Sequence, residues 1–192
     1  MTKLHVGLDL DGVVVNFADW ANAWLAETHN TDPLAIEKWD WWQDYDSQLR
    51  PESAWRRMWE HIGVEQSFYD MEPMPDALGG IRELKDMGVK VTYVTARNPR
   101  YAHETQWWLD HHGVLAGSYV VHTANKWLVP VDLFLDDQPL NVKALIESGI
   151  NARLFARSWN GFGEDEASAD LPCVASWGEF LELARQQARV YC

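Results

Sequence analysis

The sequence predicts an α/β fold: a Rossmann-like parallel sheet with a small helical cap inserted after its first strand. Two observations predict the sheet. One is an apolar run, LHVGLDLDGVVVNF, at residues 4–17; the other is a regular alternation of helical and strand patterns from Pro75 onward. Strands separated by helices imply parallel pairing with helices on both faces. A third observation predicts the insertion, because residues 16–75 break that alternation and hold seven of the 12 tryptophans.

The first strand is expected from about Leu4 to Leu10, since a strand covered on both faces reads as a continuous apolar run. Asp9 and Asp11 then break the run where the strand ends. Carboxylates are costly inside such a strand unless something pairs them. At its end they face the crevice where open α/β sheets bind ligands.

In the inserted stretch, Phe17, Trp20, Trp24 and Leu25 fall at helical spacing, as do Trp55, Met58, Trp59 and Ile62. Loops are expected around Asp32-Pro33 and Arg50-Pro51, and Trp39, Trp41 and Trp42 cluster in WDWW. The division expected is a core over residues 1–15 and 76–192, with a helical cap over 16–75. Beyond it, PDALGGIRELKDMG reads as a helix ending at Gly88 and VKVTYVTAR as a strand. A helix from Tyr101 to His112 stops at Gly113, and SYVVHT and VDLFLDD are strands. PLNVKALIESG is a helix with proline in its first turn and glycine at its end. ARLFA is a last short strand, and SWGEFLELARQQARV an amphipathic helix.

Composition narrows the function. The chain of 192 residues is 47% hydrophobic and 23% charged, with a formal net charge of −13. That balance argues against a nucleic-acid polymer as partner, because such proteins usually carry a basic face. A small phosphate ester remains compatible if a cation masks the local carboxylates. MTKLHVGLDLDG lacks signal-peptide regions, and no apolar run approaches the ~18 residues needed to span a bilayer. Cys173 and Cys192 form no metal pattern, so the expectation is a reduced cytoplasmic protein away from membranes. A homodimer is left open. His5, His29, His61, His103 and His122 show no ligand spacing, His111-His112 precede Gly113 at a helix end where a cation suits the dipole, and the acids of GFGEDEASAD read as a solvated loop.

Four signals fall at the carboxyl ends of four expected strands: DLDG (Asp9 to Gly12), VTAR (Val94 to Arg97), Lys126 beyond SYVVHTAN, and LDD (Leu135 to Asp137). Each alone has a plain structural reading; acids favour helix N-termini, and a lysine before a tryptophan is commonly a surface lysine. Their joint occurrence in this order points to one site.

The order Asp-x-Asp-Gly, Thr, Lys, Asp-Asp resembles the motif set of the haloacid dehalogenase-like (HAD) superfamily of phosphotransferases. Within it, DLDGVVVNF, SFYDMEPMPDAL, FLDDQPLNV and ASWGEFLEL resemble segments of the 5'(3')-deoxyribonucleotidase family. There are two departures: Asp76 stands where that family's turn carries glycine, and Ala96-Arg97 follow Thr95 where some relatives have small polar residues.

The resemblance implies a Mg2+-dependent phosphatase that removes phosphate from a nucleoside monophosphate, a small-molecule substrate. It implies Asp9 as nucleophile, forming an aspartyl-phosphate, and Asp11 as general acid and base. It further implies Thr95, Lys126 and Gly12 as the phosphate-binding set. The metal would be held by the Asp9 carboxylate, the Asp11 carbonyl and an acid of Asp136-Asp137. Asp137 is favoured as direct ligand, with Asp136 as brace or alternative ligand. Phe17, Phe68 and Tyr69 could stack on a base, while Arg97 could touch substrate or pair with an acid. Two other readings stay open: a HAD phosphatase for another small ester such as a sugar phosphate, and a catalytically silent HAD fold that only binds.

Overall fold

A computed structural model describes residues 3–47, 56–62, 67–161 and 170–189. Trp55, the loop at Arg50-Pro51, residues 162–169 of the acidic stretch and Cys192 lie outside the described residues. Six strands form one parallel sheet: β1 (His5–Leu8), β2 (Lys90–Thr95), β3 (Tyr119–His122), β4 (Leu133–Asp136), β5 (Asn151–Phe155) and β6 (Cys173–Val174). Their spatial order is β3-β2-β1-β4-β5-β6. The chain therefore winds outward on one side of β1, returns to lie beside it as β4, and winds outward on the other. The crevice between β1 and β4 is the topological switch point, where open α/β sheets bind ligands at the carboxyl ends of their strands.

Strand residues alternate between two apolar layers. Val6, Leu8, Val91, Tyr93, Leu133 and Leu135 belong to the larger layer, which includes buried residues of α3 (Ala77–Asp86), α4 (Ala102–His111) and α6 (Trp177–Ala188). Val94, Phe134, Ala152 and Leu154 face the other way, with Val142 and Leu145 of α5 (Pro139–Glu147). Gly7 of β1 has no room for a side chain, because a Cβ there would lie 2.5 Å from the Phe134 ring.

After β1, the chain turns at Gly12 and enters α1 (Phe17–His29). Residues 41–47 form a 3-10 turn, residues 56–62 are helical (α2), and Ser67–Asp70 is another turn. This inserted segment leaves and re-enters the sheet side by side. Asn16 N–H donates to the Glu72 carbonyl at 2.8 Å, Met74 N–H to the Val14 carbonyl at 2.8 Å, and Val15 bridges Pro73 antiparallel.

Two details differ from the sequence reading. β6 is a two-residue strand, too short to carry a pattern. The helix expected from Tyr101 starts at Ala102, because Pro99–Tyr101 forms a tighter turn capped by Asn98. Asp76 sits at φ 62°, a left-handed conformation that Asp tolerates better than most side chains.

Candidate active site

Asp9 follows β1, and its N–H still donates to the Leu135 carbonyl of β4 at 3.0 Å. The nucleophile candidate is therefore fixed to the central strand pair. Lys126 begins a short turn after β3 and is 2% exposed. It is buried, contrary to the plain expectation for a lysine before a tryptophan. Its Nζ lies 2.8 Å from Asp9 Oδ1 and 2.7 Å from Asp136 Oδ2. Asp136 also accepts from the Gln138 N–H at 2.9 Å and from Asn141 Nδ2 at 3.1 and 3.3 Å. Asp137 accepts the Trp159 indole N–H at 2.8 Å on Oδ2, and its main-chain carbonyl accepts from Asn160 Nδ2 at 3.0 Å.

Asp9, Asp136 and Asp137 each bring a carboxylate oxygen within 4.8 Å of the other two. One ammonium is shared among three buried acids, so the cluster is electrostatically incomplete. Burial pushes Asp9 up to about 7; Asp136 and Asp11 add to that, and Lys126 opposes it. Burial likewise raises Asp137 well above the ordinary carboxylate range, with Asp9 and Asp136 repelling it further. Lys126 is shifted upward despite its burial, because Asp136 and Asp9 favour its charged form. An all-oxygen donor set short of positive charge suits a hard divalent cation.

Asp11 turns the other way. Its carboxylate receives Arg97 Nε at 2.9 Å and Nη2 at 2.5 Å, a two-point pair. Thr95, the last residue of β2, is buried, and its Oγ1 accepts from the Arg97 N–H at 3.1 Å. Gly12 follows Asp11 in the turn, at φ 81°. A Cβ there would lie 2.1 Å from Asp137 Oδ2, so only glycine lets the turn close over that acid. The Gly12 carbonyl accepts from Arg157 Nε at 2.9 Å.

These groups form the base of a cavity of about 540 Å³, within the range of small-molecule pockets. Asp9, Asp11, Gly12, Thr95, Arg97, Lys126 and Asp137 line one end. Phe17, Trp39, Trp41, Trp42 and Trp59 from the inserted segment line another part, with Tyr101 and Trp159 from the sheet side. Phe17 lies stacked on Trp59, with centroids 5.2 Å apart and planes at 19°. Asp136 is fully buried beneath Lys126. Phe68 and Tyr69 do not line the cavity. Phe68 is buried with its ring 4.4 Å from the Arg97 guanidinium, and Tyr69 packs on Trp107 at 3.9 Å.

Residues 3–190 match the family described as "5' nucleotidase, deoxy (Pyrimidine), cytosolic type C protein". The chain belongs to that family. It is 24% identical over 199 residues to a Chlorobaculum tepidum protein named "Putative 5'(3')-deoxyribonucleotidase", covering 95% of this chain and 91% of the relative. A Bordetella parapertussis protein of the same name is 29% identical over 142 residues, covering 69% of this chain and 73% of that one. In fold, the chain resembles a haloacid dehalogenase-like family hydrolase from Streptococcus pneumoniae (TM-score 0.66, 13% identity, 94% of this chain and 98% of that one). It also resembles L-2-haloacid dehalogenase from Xanthobacter autotrophicus (TM-score 0.67, 14% identity, 97% of this chain and 100% of that one). The protein is thus a nucleotidase, a hydrolase of the phosphatase class, with a haloacid dehalogenase-like fold. Among its described residues, no helix is long and apolar enough to cross a membrane.

Sequence reasoning missed four residues of this nucleotidase's site. Arg157, Trp159 and Asn160 follow the carboxyl end of β5 and touch Gly12 and Asp137. The strand-end criterion that found the other four signals would have found these too, had it been applied to ARLFA. Asn141, one turn into α5, was hidden because the helix pattern accounts for it without a partner.

Proposed function

We propose that the protein is a Mg2+-dependent phosphatase of nucleoside monophosphates, with deoxyribonucleotides as its main substrates. The observation that carries this reading is the buried Asp9–Lys126–Asp136–Asp137 cluster at the base of an aromatic-lined cavity. The preference for deoxyribose rests on the family alone.

Asp9 attacks phosphorus in line. The P–O ester bond breaks with its electron pair going to the departing oxygen, which takes a proton from the Asp11 carboxyl group. The products of this step are the free nucleoside and an aspartyl-phosphate on Asp9. Water then attacks phosphorus and gives its proton to Asp11, inorganic phosphate departs, and the Asp9 carboxylate is restored. Acid–base help of this kind is worth roughly a hundred- to ten-thousand-fold. Lys126 Nζ and Thr95 Oγ1 hold phosphoryl oxygens, and the turn at Gly12 lets the main chain approach them, stabilising charge as it develops.

Mg2+ would be held by the Asp9 carboxylate, the Asp11 carbonyl and Asp137, where it supplies the positive charge that offsets a dianionic substrate beside carboxylates. Asp136 is the better brace, because both its oxygens already serve Lys126, Asn141 and the Gln138 N–H. Residues 16–75 act as a cap over the core of 1–15 and 76–192. The cap supplies selectivity through Phe17 and its tryptophans, whose rings offer the flat apolar surface a nucleobase needs. Sugar phosphates would require more hydrogen-bonding groups than that wall carries.

The deciding experiment is phosphate release with Mg2+ across deoxyribonucleoside monophosphates, ribonucleoside monophosphates and sugar phosphates, with the Asp9→Asn protein as control. Selective turnover of the deoxyribonucleotides, absent from the control, is expected. Turnover of sugar phosphates alone would remove the nucleotidase reading, and no turnover would favour a silent binding fold.

A further inference from the structure

We infer that Arg97 is a positioning residue for Asp11, and that Phe68 of the inserted segment keeps Arg97 in that place. The inference rests on the phosphatase reading above. The Arg97 side chain is 1% exposed and the Asp11 carboxylate 27% exposed, so a buried fork reaches out to hold a half-open acid. Arg97 Nε serves Asp11 Oδ2 and Nη2 serves Oδ1, while Nη1 reaches Thr105 Oγ1 at 3.4 Å. Nη2 also lies 4.0 Å from Met71 Sδ, and the Phe68 ring covers one face of the guanidinium. The main chain of Arg97 is fixed as well, its N–H on Thr95 Oγ1 and its carbonyl 3.1 Å from His122 Nδ1.

That geometry decides between the two roles open to an arginine in a phosphatase cavity. A phosphate ligand needs N–H groups turned toward the substrate, but four of the five here are directed at Asp11, Thr105 and Met71. Asp11 stands beyond the end of β1, where an isolated bridge to Val15 ties its main chain but does not aim its carboxylate. A planar two-point clamp aims it, and a lysine ammonium could not, being a point charge without a fixed fork. One Asp11 oxygen can turn to the ester oxygen and deliver its proton while the other stays on Arg97. Phe68 and Met71 lie in the inserted segment, so that segment does more than frame the substrate: it holds the residue that aims the acid.

The test compares two substrates that differ in how much they need that acid. A nucleoside leaves as a poor alkoxide unless protonated, whereas p-nitrophenol leaves from p-nitrophenyl phosphate as a stable phenolate. Turnover of both by the wild-type protein tests the phosphatase reading by itself; if it fails, the present inference fails with it. Given that turnover, Arg97→Met should lower kcat for a nucleoside monophosphate by about a hundredfold. It should lower kcat for p-nitrophenyl phosphate at least about tenfold less, with KM little changed for either. Phe68→Leu keeps the core apolar and should give the same discrimination to a smaller degree. It carries the test if Arg97→Met does not fold. An equal fall on both substrates in the folded variants, or a rise in KM at unchanged kcat, would overturn the inference. The first result would mark a general structural role, the second a phosphate contact.

Discussion

The Trp159 indole donates its N–H to Asp137 Oδ2 at 2.8 Å, and the same ring edge would lie 3.1 Å from a Cβ at Gly12. One side chain after β5 thus fixes the orientation of an acid after β4 and closes over the turn after β1. Asn160 completes the arrangement by donating to the Asp137 and Phe155 carbonyls at 3.0 and 2.7 Å. Three strand ends are tied together at Asp137, and the opposite side of the crevice is tied by Lys126. The acids of this site are close to one another because neutral donors and one ammonium hold them there.

The first consequence concerns the cation. Trp159→Phe keeps the ring but removes the donor, leaving Asp137 free to rotate. Partners that orient ligands typically contribute ten- to a hundredfold to metal affinity. Isothermal titration with Mg2+ should therefore show binding weakened by about tenfold or more, with the fold retained by circular dichroism. Unchanged Mg2+ affinity would mean that Asp137 does not depend on Trp159, or does not hold the ion.

A second prediction follows from the charge imbalance. Burial holds the Asp9 carboxyl up to about 7, against an ordinary value of 3.8. Between those values the folded protein keeps a proton that the unfolded chain has released, so this group's contribution to stability declines as pH rises through the window. Asn at this position cannot titrate. With EDTA present, the melting temperature of Asp9→Asn should gain on that of the wild type as pH rises from about 5 to about 8, an effect of a few kcal/mol at most. Mg2+ should narrow the gap by favouring the ionised wild-type acid. A gap that does not change with pH would show that Asp9 titrates as an ordinary carboxyl.

The residues legible in the sequence were those whose placement depends on the strand ladder. Asp9, Thr95 and Asp136-Asp137 sit at or just beyond strand ends, and parallel pairing such as Leu8 with Tyr93 and Leu135 brings those ends level. Apolar runs that stop at polar residues reveal such positions directly. Lys126 was legible only through its order among the other signals, since nothing local distinguishes a buried lysine from a surface one. The inserted segment was legible as aromatic and helical but not in its orientation. Phe68 and Tyr69 are neighbours in sequence, yet one lies beneath Arg97 and the other against Trp107. Which ring faces a cavity depends on packing between the segment and the core, and no periodicity within SFYD encodes that. The two-point pair between Asp11 and Arg97 spans 86 positions and was legible only as one of several options for the arginine.

The last prediction separates rings that recognise substrate from rings that pack. Phe17 is buried and stacked on Trp59, which itself lies 5.8 Å from Tyr101, so truncating any of the three disturbs the core as well as the cavity. Trp39 lines the same cavity but is 43% exposed, and its loss opens no interior space. Stacking of a base on an aromatic side chain is worth about 1–3 kcal/mol. Trp39→Ala should therefore raise KM for nucleoside monophosphates by about tenfold while leaving KM for a small alkyl phosphate and the melting temperature nearly unchanged. Steady-state kinetics on the two substrates checks this directly. If KM rises equally for both, Trp39 shapes the entrance for any phosphate ester. If neither moves, the base lies against the inner wall formed by Trp41, Trp42 and Trp59, and Trp42→Ala is the variant that should then show the split.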